Sequence, residues 1–500
     1  MKPKVVFLNL HGVNNITAAY LHKILEKSNY PTRTIHFRRL VPEFISPSKQ
    51  ELNSLKKVLD KLNPKYILMS VNSISFLLAQ ELVKILKDRI VIWGGIHPLI
   101  DPEACLKHVK YIVRGEGEEA MLELLDALEQ NKSPNKIKNV WINKNNKIIK
   151  NPFRPLVQDI SNLEIPKFEE EHKIYILGDK IYKKNPLPHL KYNYHIAFSR
   201  GCPFSCKYCL NHLLNKMFDG KYLRRKSVES SIKELLIAKN KFPKLKKIHI
   251  WDDVFITDKK WLTKFIKQYK KHINLPFFSY GNASCVDWQT MKMLKKAGLC
   301  FFDIGIQSGS SRIRKDIFGR VDGDEQILKA NKILHKLKIP TGYDLIYSEF
   351  ETEKDMEIGL RFLLKLKKPF KIHINKLAYY NDFEITQRAL AEKKISQKDI
   401  AGKSDLVNTQ ETNKQSSQEN PLLNYYYFLG KRFIPNWSIK YMHKNQWHIK
   451  NKKLLASLGF FVNNLYNKWF SLKGMWEMVL RGEFAYMKNR IFNKKEFMPY

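Results

Sequence analysis

Ser199-Arg-Gly-Cys202-Pro-Phe-Ser-Cys206-Lys-Tyr-Cys209-Leu-Asn211 gathers three of the chain's six cysteines onto one short stretch. Thiolates are soft ligands suited to zinc or to iron–sulfur clusters, and three of them on one loop can hold three corners of a cluster while the fourth iron stays open. Zinc would need a further ligand at short spacing, for which His212 is the nearby candidate; burial of small cysteines is the bland alternative. The stretch follows a predicted strand at 195–199, and five more strand-like runs lie beyond it, at 247–251, 277–280, 301–306, 341–346 and 371–376. Helical patterns such as 228–241, 259–272 and 288–297 separate them. Six strand–helix units in about 200 residues predict a full or partial (βα)6 barrel of the TIM type, with its site at the carboxyl ends of the strands.

Upstream, the first 130 residues alternate short β-branched runs with longer helical patterns, as in a parallel sheet covered on both faces. Strands at 5–9, 34–37, 66–70, 90–93 and 111–114 and helices at 17–28, 48–62, 76–88 and 118–130 predict a five-stranded, doubly wound, Rossmann-like unit. Residues 139–151 read as a hairpin around a turn-forming 143–147. The expected organisation is an α/β chain with a doubly wound domain at 1–150, a proline-marked connector at 151–190 and a barrel at 191–400. A polar linker at 401–420 then leads to a mainly helical, basic and aromatic region at 421–500.

Five hundred residues at 44% hydrophobic content exclude global disorder. Lys plus Arg number 88 against 48 Asp plus Glu, a formal +40 that invites nucleic acid, an anionic membrane surface or an acidic substrate. Most of that excess is Lys in a chain also rich in Asn and Ile, a bias that an AT-rich genome produces without any ligand. Residues 421–500 differ: 14 Lys and Arg less 3 Glu give +11, with 19 aromatics among them. Trp437, Trp447, Trp469 and Trp476 interleaved with Lys fit a helical domain packed on the barrel, an amphipathic surface near anionic lipid, or a groove that stacks bases. Few cysteines and no signal-peptide pattern before the first predicted strand make a reducing cytoplasm the expectation. No run reaches the roughly 18 apolar residues of a spanning helix, so any membrane contact is expected to be peripheral.

Cys-x3-Cys-x2-Cys with an aromatic before the last cysteine, after the first strand of a six-unit barrel, resembles the radical S-adenosylmethionine (SAM) superfamily. The phrase 199–211 is similar to its large subgroup with an N-terminal cobalamin-binding domain. That resemblance implies that Cys202, Cys206 and Cys209 ligate a 4Fe–4S cluster, that SAM chelates the open iron, and that Tyr208 lies against the adenine. It implies reductive cleavage of SAM to methionine and a 5′-deoxyadenosyl radical, which abstracts hydrogen from an unactivated carbon. Trp251-Asp252-Asp253-Val254-Phe255 resembles the family's acidic motif near the SAM amino group, although two Asp after a strand also commonly cap the next helix. Gly305-Ile306-Gln307-Ser308-Gly309-Ser310, followed by Arg320, resembles the segment that contacts the SAM ribose and methionine, with Gln307 where Glu is usual. Tyr347-Ser-Glu-Phe-Glu351-Thr352 keeps only the Glu-Thr of the family's turn after the fifth strand, and Asn381-Asp-Phe-Glu-Ile-Thr386 replaces a Pro-Gly-Thr turn.

Gly94-Gly95-Ile96-His97-Pro98 and Val113-Arg114-Gly115-Glu116-Gly117-Glu118 resemble the phrases after the fourth and fifth strands of the same subgroup's cobalamin domains. Glycines at strand ends let a macrocycle or its nucleotide tail approach the backbone. By that resemblance cobalamin is an expected cofactor, with His11, Ser70, Gly94, Gly95, Gly115 and Glu116 as its contacts. No Gly-x-Gly-x-x-Gly follows the first strand, which speaks against a dinucleotide.

The resemblance implies an enzyme that modifies an unactivated carbon, most often by methyl transfer. Ring formation or rearrangement, or a non-catalytic iron–sulfur redox protein, are the alternatives. The expected partners are a small-molecule or lipid substrate and an external electron donor such as flavodoxin or ferredoxin, with peripheral membrane contact through 421–500 and no nucleic acid. A tRNA-modifying methylthiotransferase would carry three further cysteines upstream, where only Cys105 stands.

Overall fold

The computed structural model describes residues 3–10, 16–37, 46–166, 169–186, 193–400, 420–463 and 465. His11, Trp469, Trp476 and nearly all of the expected linker lie outside them. The described residues divide into two compact units. One is drawn from Met1–Pro186, Phe198–Lys241 and Ala378–Thr409, the other from Leu187–Ala197, Phe242–Leu377 and Gln410–Tyr500.

The first unit is built on strands β1 (Val5–Asn9), β2 (Thr32–Phe37), β3 (Tyr66–Ser70), β4 (Ile90–Gly94), β5 (Tyr111–Val113), β6 (Val140–Lys144), β7 (Lys147–Lys150), β8 (Lys173–Leu177) and β9 (Lys180–Tyr182). They form one sheet in the order β7-β6-β5-β4-β3-β1-β2-β8-β9. Strands β1 to β5 and their neighbour β8 pair in parallel, whereas β6, β7 and β9 are antiparallel additions at the two edges. The order 2-1-3-4-5 at the centre is a doubly wound topology whose direction reverses between β1 and β3, the place where such sheets bind ligands. Both faces are apolar: Val6, Leu8 and Met69 point into one core, Val5, Phe7 and Leu68 into the other. The helix Lys49–Leu62 starts at a capping box in which Ser48 and Glu51 exchange hydrogen bonds, and it ends on Asn63 in the left-handed region.

The sheet is wider than the five strands expected. The stretch read as a connector contributes β8 and β9, and β8 pairs along β2 from Thr34↔Lys173 to Phe37↔Ile176. Its β-branched and aromatic residues carry a strand signal. The partner lies more than a hundred residues upstream, so no local pattern can show that the strand has an edge to join.

The second unit holds β10 (Asn193–Ile196), β13 (Lys247–Ile250), β14 (Phe277–Gly281), β15 (Leu299–Gln307), β16 (Thr341–Tyr347) and β17 (Lys371–Lys376), all parallel in that order. β11 (Ser199–Arg200) and β12 (Arg224–Arg225) form a separate antiparallel ladder in the first unit. On β15, Phe302, Ile304 and Ile306 are fully buried, while Phe301, Asp303, Gly305 and Gln307 take the opposite, inner face. Helices Lys259–His272, Trp288–Lys296 and Glu353–Leu363 are capped by Asp258, Asp287 and Thr352. Asp252 and Asp253 therefore do not cap the helix that follows them.

The described C-terminal residues include short helices at Leu423–Tyr426, Asn436–Lys444 and Trp447–Lys450. Tyr425, Tyr426, Phe428 and Leu429 are buried, and the Tyr426 hydroxyl donates to the Met356 carbonyl at 3.1 Å. Among the described residues, no helix is long and apolar enough to cross a membrane.

Candidate cofactor site

The three cysteines follow β10 in the chain and end on the helix Leu210–Met217, whose N-cap is Cys209. The Cys209 amide donates to the Cys206 carbonyl at 2.9 Å, so the last two thiols share one tight turn. None of the three is in a disulfide; Cys206 is buried, Cys202 and Cys209 half-buried, and Tyr208 between them is half-buried. Three soft thiolates with partial access suit an iron–sulfur cluster with one open iron. His212, the candidate fourth zinc ligand, faces Glu384 through Nε2 at 3.1 Å. The same carboxylate takes Lys207 at 3.0 Å and Lys216 at 3.2 Å, and these three neighbours hold its pKa down to about 2.

On the other flank, Gly201 has φ 90°, and a Cβ there would stand 2.7 Å from the Tyr222 carbonyl, so only glycine fits between Arg200 and Cys202. Arg200 pairs with Arg224 in the β11–β12 ladder. Both guanidinium groups converge on Glu116: Arg200 Nη1 at 2.7 Å and Arg224 Nη1 at 2.9 Å from Oε1. Glu118 takes the second nitrogen of Arg200 at 2.6 Å, and the Val157 amide donates to Glu116 Oε2 at 3.1 Å. Burial opposes the Glu116 charge, but Arg200 and Arg224 outweigh it and hold the carboxyl below the usual carboxylate range. Gly115, beside Glu116, lies against the Phe218 ring.

At the carboxyl ends of β3 and β4, Gly95 has φ 96°, and a Cβ there would come within 2.9 Å of the Val71 backbone and 2.8 Å of Ser70 Oγ. Ser70 and Gly94 end neighbouring strands and are paired in register. His97 is buried beside them, shares a hydrogen bond through Nδ1 with Ser73 Oγ at 3.2 Å, and has no partner at Nε2 among the described residues. Burial lowers its pKa to about 4, so the ring stays neutral. A strand-end cradle with glycine backbone and a neutral imidazole at the edge of a doubly wound sheet fits a flat macrocycle and its tail.

In the second unit, Asp252 is fully buried and Asp253 exposed in the turn after β13. Gln307 ends β15 with φ 66°, an uncommon left-handed conformation for a residue with a side chain; its amide folds over Gly305, and its Oε1 is buried without a partner among the described residues. Arg320 reaches the Gly305 carbonyl and pairs with the fully buried Asp322, so the structure brings Gln307 and Arg320 together around one glycine. Ser308 donates to Glu351 at 2.8 Å, and burial raises the Glu351 pKa to about 8; Glu351 of the retained Glu-Thr thus supports the β15 end.

The inner face of the sheet carries polar residues that strand periodicity places but that no motif marks. Trp251 Nε1 donates to His195 Nδ1 at 3.0 Å, and His249 lies 3.2 Å from the Tyr280 hydroxyl. Asp303, Asp344 and His373, from β15, β16 and β17, bring ligand-capable atoms within 4.8 Å of one another. Burial first, and then Asp344, raises the Asp303 pKa well above the usual carboxylate range, and burial lowers that of His373 to about 4. A sheet face with neutral imidazoles and two neighbouring carboxylates offers polar groups to a ligand.

The comparisons agree with this geometry. Residues 196–363 match the model of the radical SAM superfamily, and 14–125 that of the B12 binding domain. An uncharacterized methyltransferase, PH0819, of Pyrococcus horikoshii is 28% identical over 323 residues, 63% of this chain and 67% of the relative. An anaerobic magnesium-protoporphyrin IX monomethyl ester cyclase of Synechocystis is 29% identical over 134 residues, 25% of this chain and 23% of the cyclase. Among solved structures, the radical SAM methyltransferase TsrM of Kitasatospora setae aligns with TM-score 0.63 at 14% identity, covering 78% of this chain and 76% of that one. The cobalamin-dependent radical SAM enzyme OxsB aligns with TM-score 0.60 at 18% identity, covering 84% and 62%. These last two likenesses are of fold. The cofactors that the two matched domains imply are a 4Fe–4S cluster, SAM and cobalamin. With a cysteine triplet on its own loop, a doubly wound sheet cradled at its strand ends and a six-stranded parallel sheet, the chain belongs to the radical SAM superfamily and carries an N-terminal B12-binding domain.

Proposed function

We propose that the protein methylates an unactivated carbon of a small-molecule or lipid substrate through reductive cleavage of SAM. The observation that carries methyl transfer is the relative named a methyltransferase: its 323-residue match is longer than either family segment alone. When bound, the cluster supplies one electron to the SAM sulfonium and cobalamin carries a methyl group. Cys202, Cys206 and Cys209 hold the cluster; Tyr208, Asp252, Asp253, Gln307, Ser308 and Arg320 hold SAM. The inner-face groups Asp303, Asp344 and His373 orient the polar end of the substrate. A flavodoxin- or ferredoxin-type protein supplies the electron. Ring formation is the second reading, supported by the cyclase matches.

Anaerobically reconstituted protein, incubated with reductant, deuteromethyl-SAM and a cell extract, is expected to release both 5′-deoxyadenosine and S-adenosylhomocysteine and to label one metabolite. Cys206→Ala should abolish the deoxyadenosine. Deoxyadenosine without S-adenosylhomocysteine or label would favour the cyclase reading; intact cleavage in the variant would remove the cysteines from the mechanism.

The C-terminal residues support a peripheral contact with anionic lipid. Phe433, Trp437, Tyr441 and Ile449 are 60%, 70%, 59% and 63% exposed. Residues 420–465 hold seven Lys and Arg and no Asp or Glu. Exposed aromatics in a segment that carries lysines and no acidic residue of its own complement a negatively charged interface. Full-length protein should float with phosphatidylglycerol vesicles at low salt and not with phosphatidylcholine vesicles, and Trp437→Ala with Tyr441→Ala should cut binding about tenfold. Equal binding to both lipids, or an unaffected double variant, overturns this contact.

A further inference from the structure

The Gly-Glu-Gly-Glu loop after β5 stands in a cobalamin-type domain, yet its carboxylates turn to the cysteine loop. Arg200, which receives Glu116 and Glu118, lies two residues before Cys202. Arg224, which receives Glu116, donates through Nε to the Tyr222 carbonyl at 3.1 Å. The Tyr222 hydroxyl donates to Asn211 Oδ1 at 2.9 Å, and Asn211 Nδ2 reaches Cys209 Sγ at 3.9 Å. One carboxylate is thus wired to both ends of the triplet: to the Cys202 end through Arg200 and Gly201, and to the Cys209 end through Arg224, Tyr222 and Asn211. Arg224 is 3% exposed and Glu116 17%, so water replaces little of this network. Charge-assisted bonds of this kind set position as well as stability.

We propose that Glu116, assisted by Glu118, is a positioning residue for the cluster loop rather than a cobalamin contact. Bidentate and shared salt bridges fix the Arg200–Arg224 rung, and the rung sets the spacing and orientation of Cys202 and Cys209. The Asn211 amide then presents a donor to the Cys209 sulfur, the kind of outer-shell hydrogen bond that tunes a cluster's potential. Loss of the Glu116 carboxylate leaves the buried Arg224 guanidinium without that counter-charge beside the half-buried Arg200, and the repulsion across the rung displaces both ends of the triplet together.

The inference rests on the cysteines being the cluster ligands, and the test separates the two. Full-length wild type, Glu116→Gln and Glu118→Gln are reconstituted anaerobically, each with and without cobalamin. Iron per chain, the midpoint potential of the cluster, the line shape of its reduced electron paramagnetic resonance signal and bound cobalamin are measured. Glu116→Gln is expected to lower iron retention about twofold or more, and to shift the potential and broaden the signal equally in both preparations, with cobalamin binding within twofold of wild type. Glu118→Gln, which loses a single contact, should shift the signal in the same direction by less; it decides the matter if Glu116→Gln does not fold. A wild-type cluster with unshifted variants overturns the positioning role, as does a shift confined to the cobalamin-loaded protein or a selective loss of cobalamin. Wild type without a cluster signal instead sinks the ligand assignment and the clamp with it.

Discussion

Gly201 joins the clamp to the first cysteine, and its left-handed backbone and 2.7 Å approach to Tyr222 leave no room for a methyl group. Gly201→Ala should cost about 1–2 kcal/mol in backbone conformation alone and more through the contact. Reduced iron loading, together with a lower denaturation midpoint, is the expected result. Asp303 and Asp344 make a second residue-scale prediction. Burial and mutual repulsion raise the pKa of Asp303 above its unfolded value. The folded state therefore holds a proton that the unfolded state has lost, and stability falls as pH rises from the usual carboxylate range towards the folded value. Asp344→Asn removes the repulsion, so its stability relative to wild type should grow between pH 5 and pH 8, by on the order of 1 kcal/mol. A difference that stays flat with pH would show that the two carboxylates do not interact.

Among the elements, β8 tests whether the widened sheet matters to the first unit. Ile176 is fully buried in the core that holds Val6, Leu8 and Ile35. Ile176→Ala should destabilise the unit by about 2–4 kcal/mol in denaturant titration, the cost of a core cavity. A surface-like loss below about 0.5 kcal/mol would mean that β8 is not part of the core. The central strands are legible in the sequence because each is an apolar run buried on both faces, and β1 and β3 have the expected bounds. Cap signals serve as well, since Ser48 with Glu51 marks the start of its helix. β8 escapes such reading because its pairing with β2 is long-range, and β9 because it is a three-residue edge strand that exists only as the hairpin partner of β8. The partners of Glu116 are hidden for a related reason: a Gly-Glu-Gly-Glu phrase shows a strand-end loop, but the Arg200 and Arg224 that meet its carboxylate are more than eighty residues away.

For the whole molecule, cobalamin should act as a ligand of the folded first unit. Saturating hydroxocobalamin is expected to slow hydrogen exchange at the carboxyl ends of β3 and β4, and binding at a hundredfold excess over Kd contributes about 2.7 kcal/mol to the stability of what it binds. Unchanged exchange around Ser70, Gly95 and His97 would remove the cradle as its site. The sequence alone determined the superfamily, the two sheets, the cysteine triplet and the basic, acid-free character of 420–465, because spacing, period and charge are local properties of a chain. Only the tertiary structure decided that the cysteine loop is braced by Glu116 and Glu384, that Asp303, Asp344 and His373 share one face, and that aromatics near Trp437 stand exposed. Each of these depends on which side chains meet across long sequence separations, and burial and ion pairing are settled by those meetings rather than by the residues themselves.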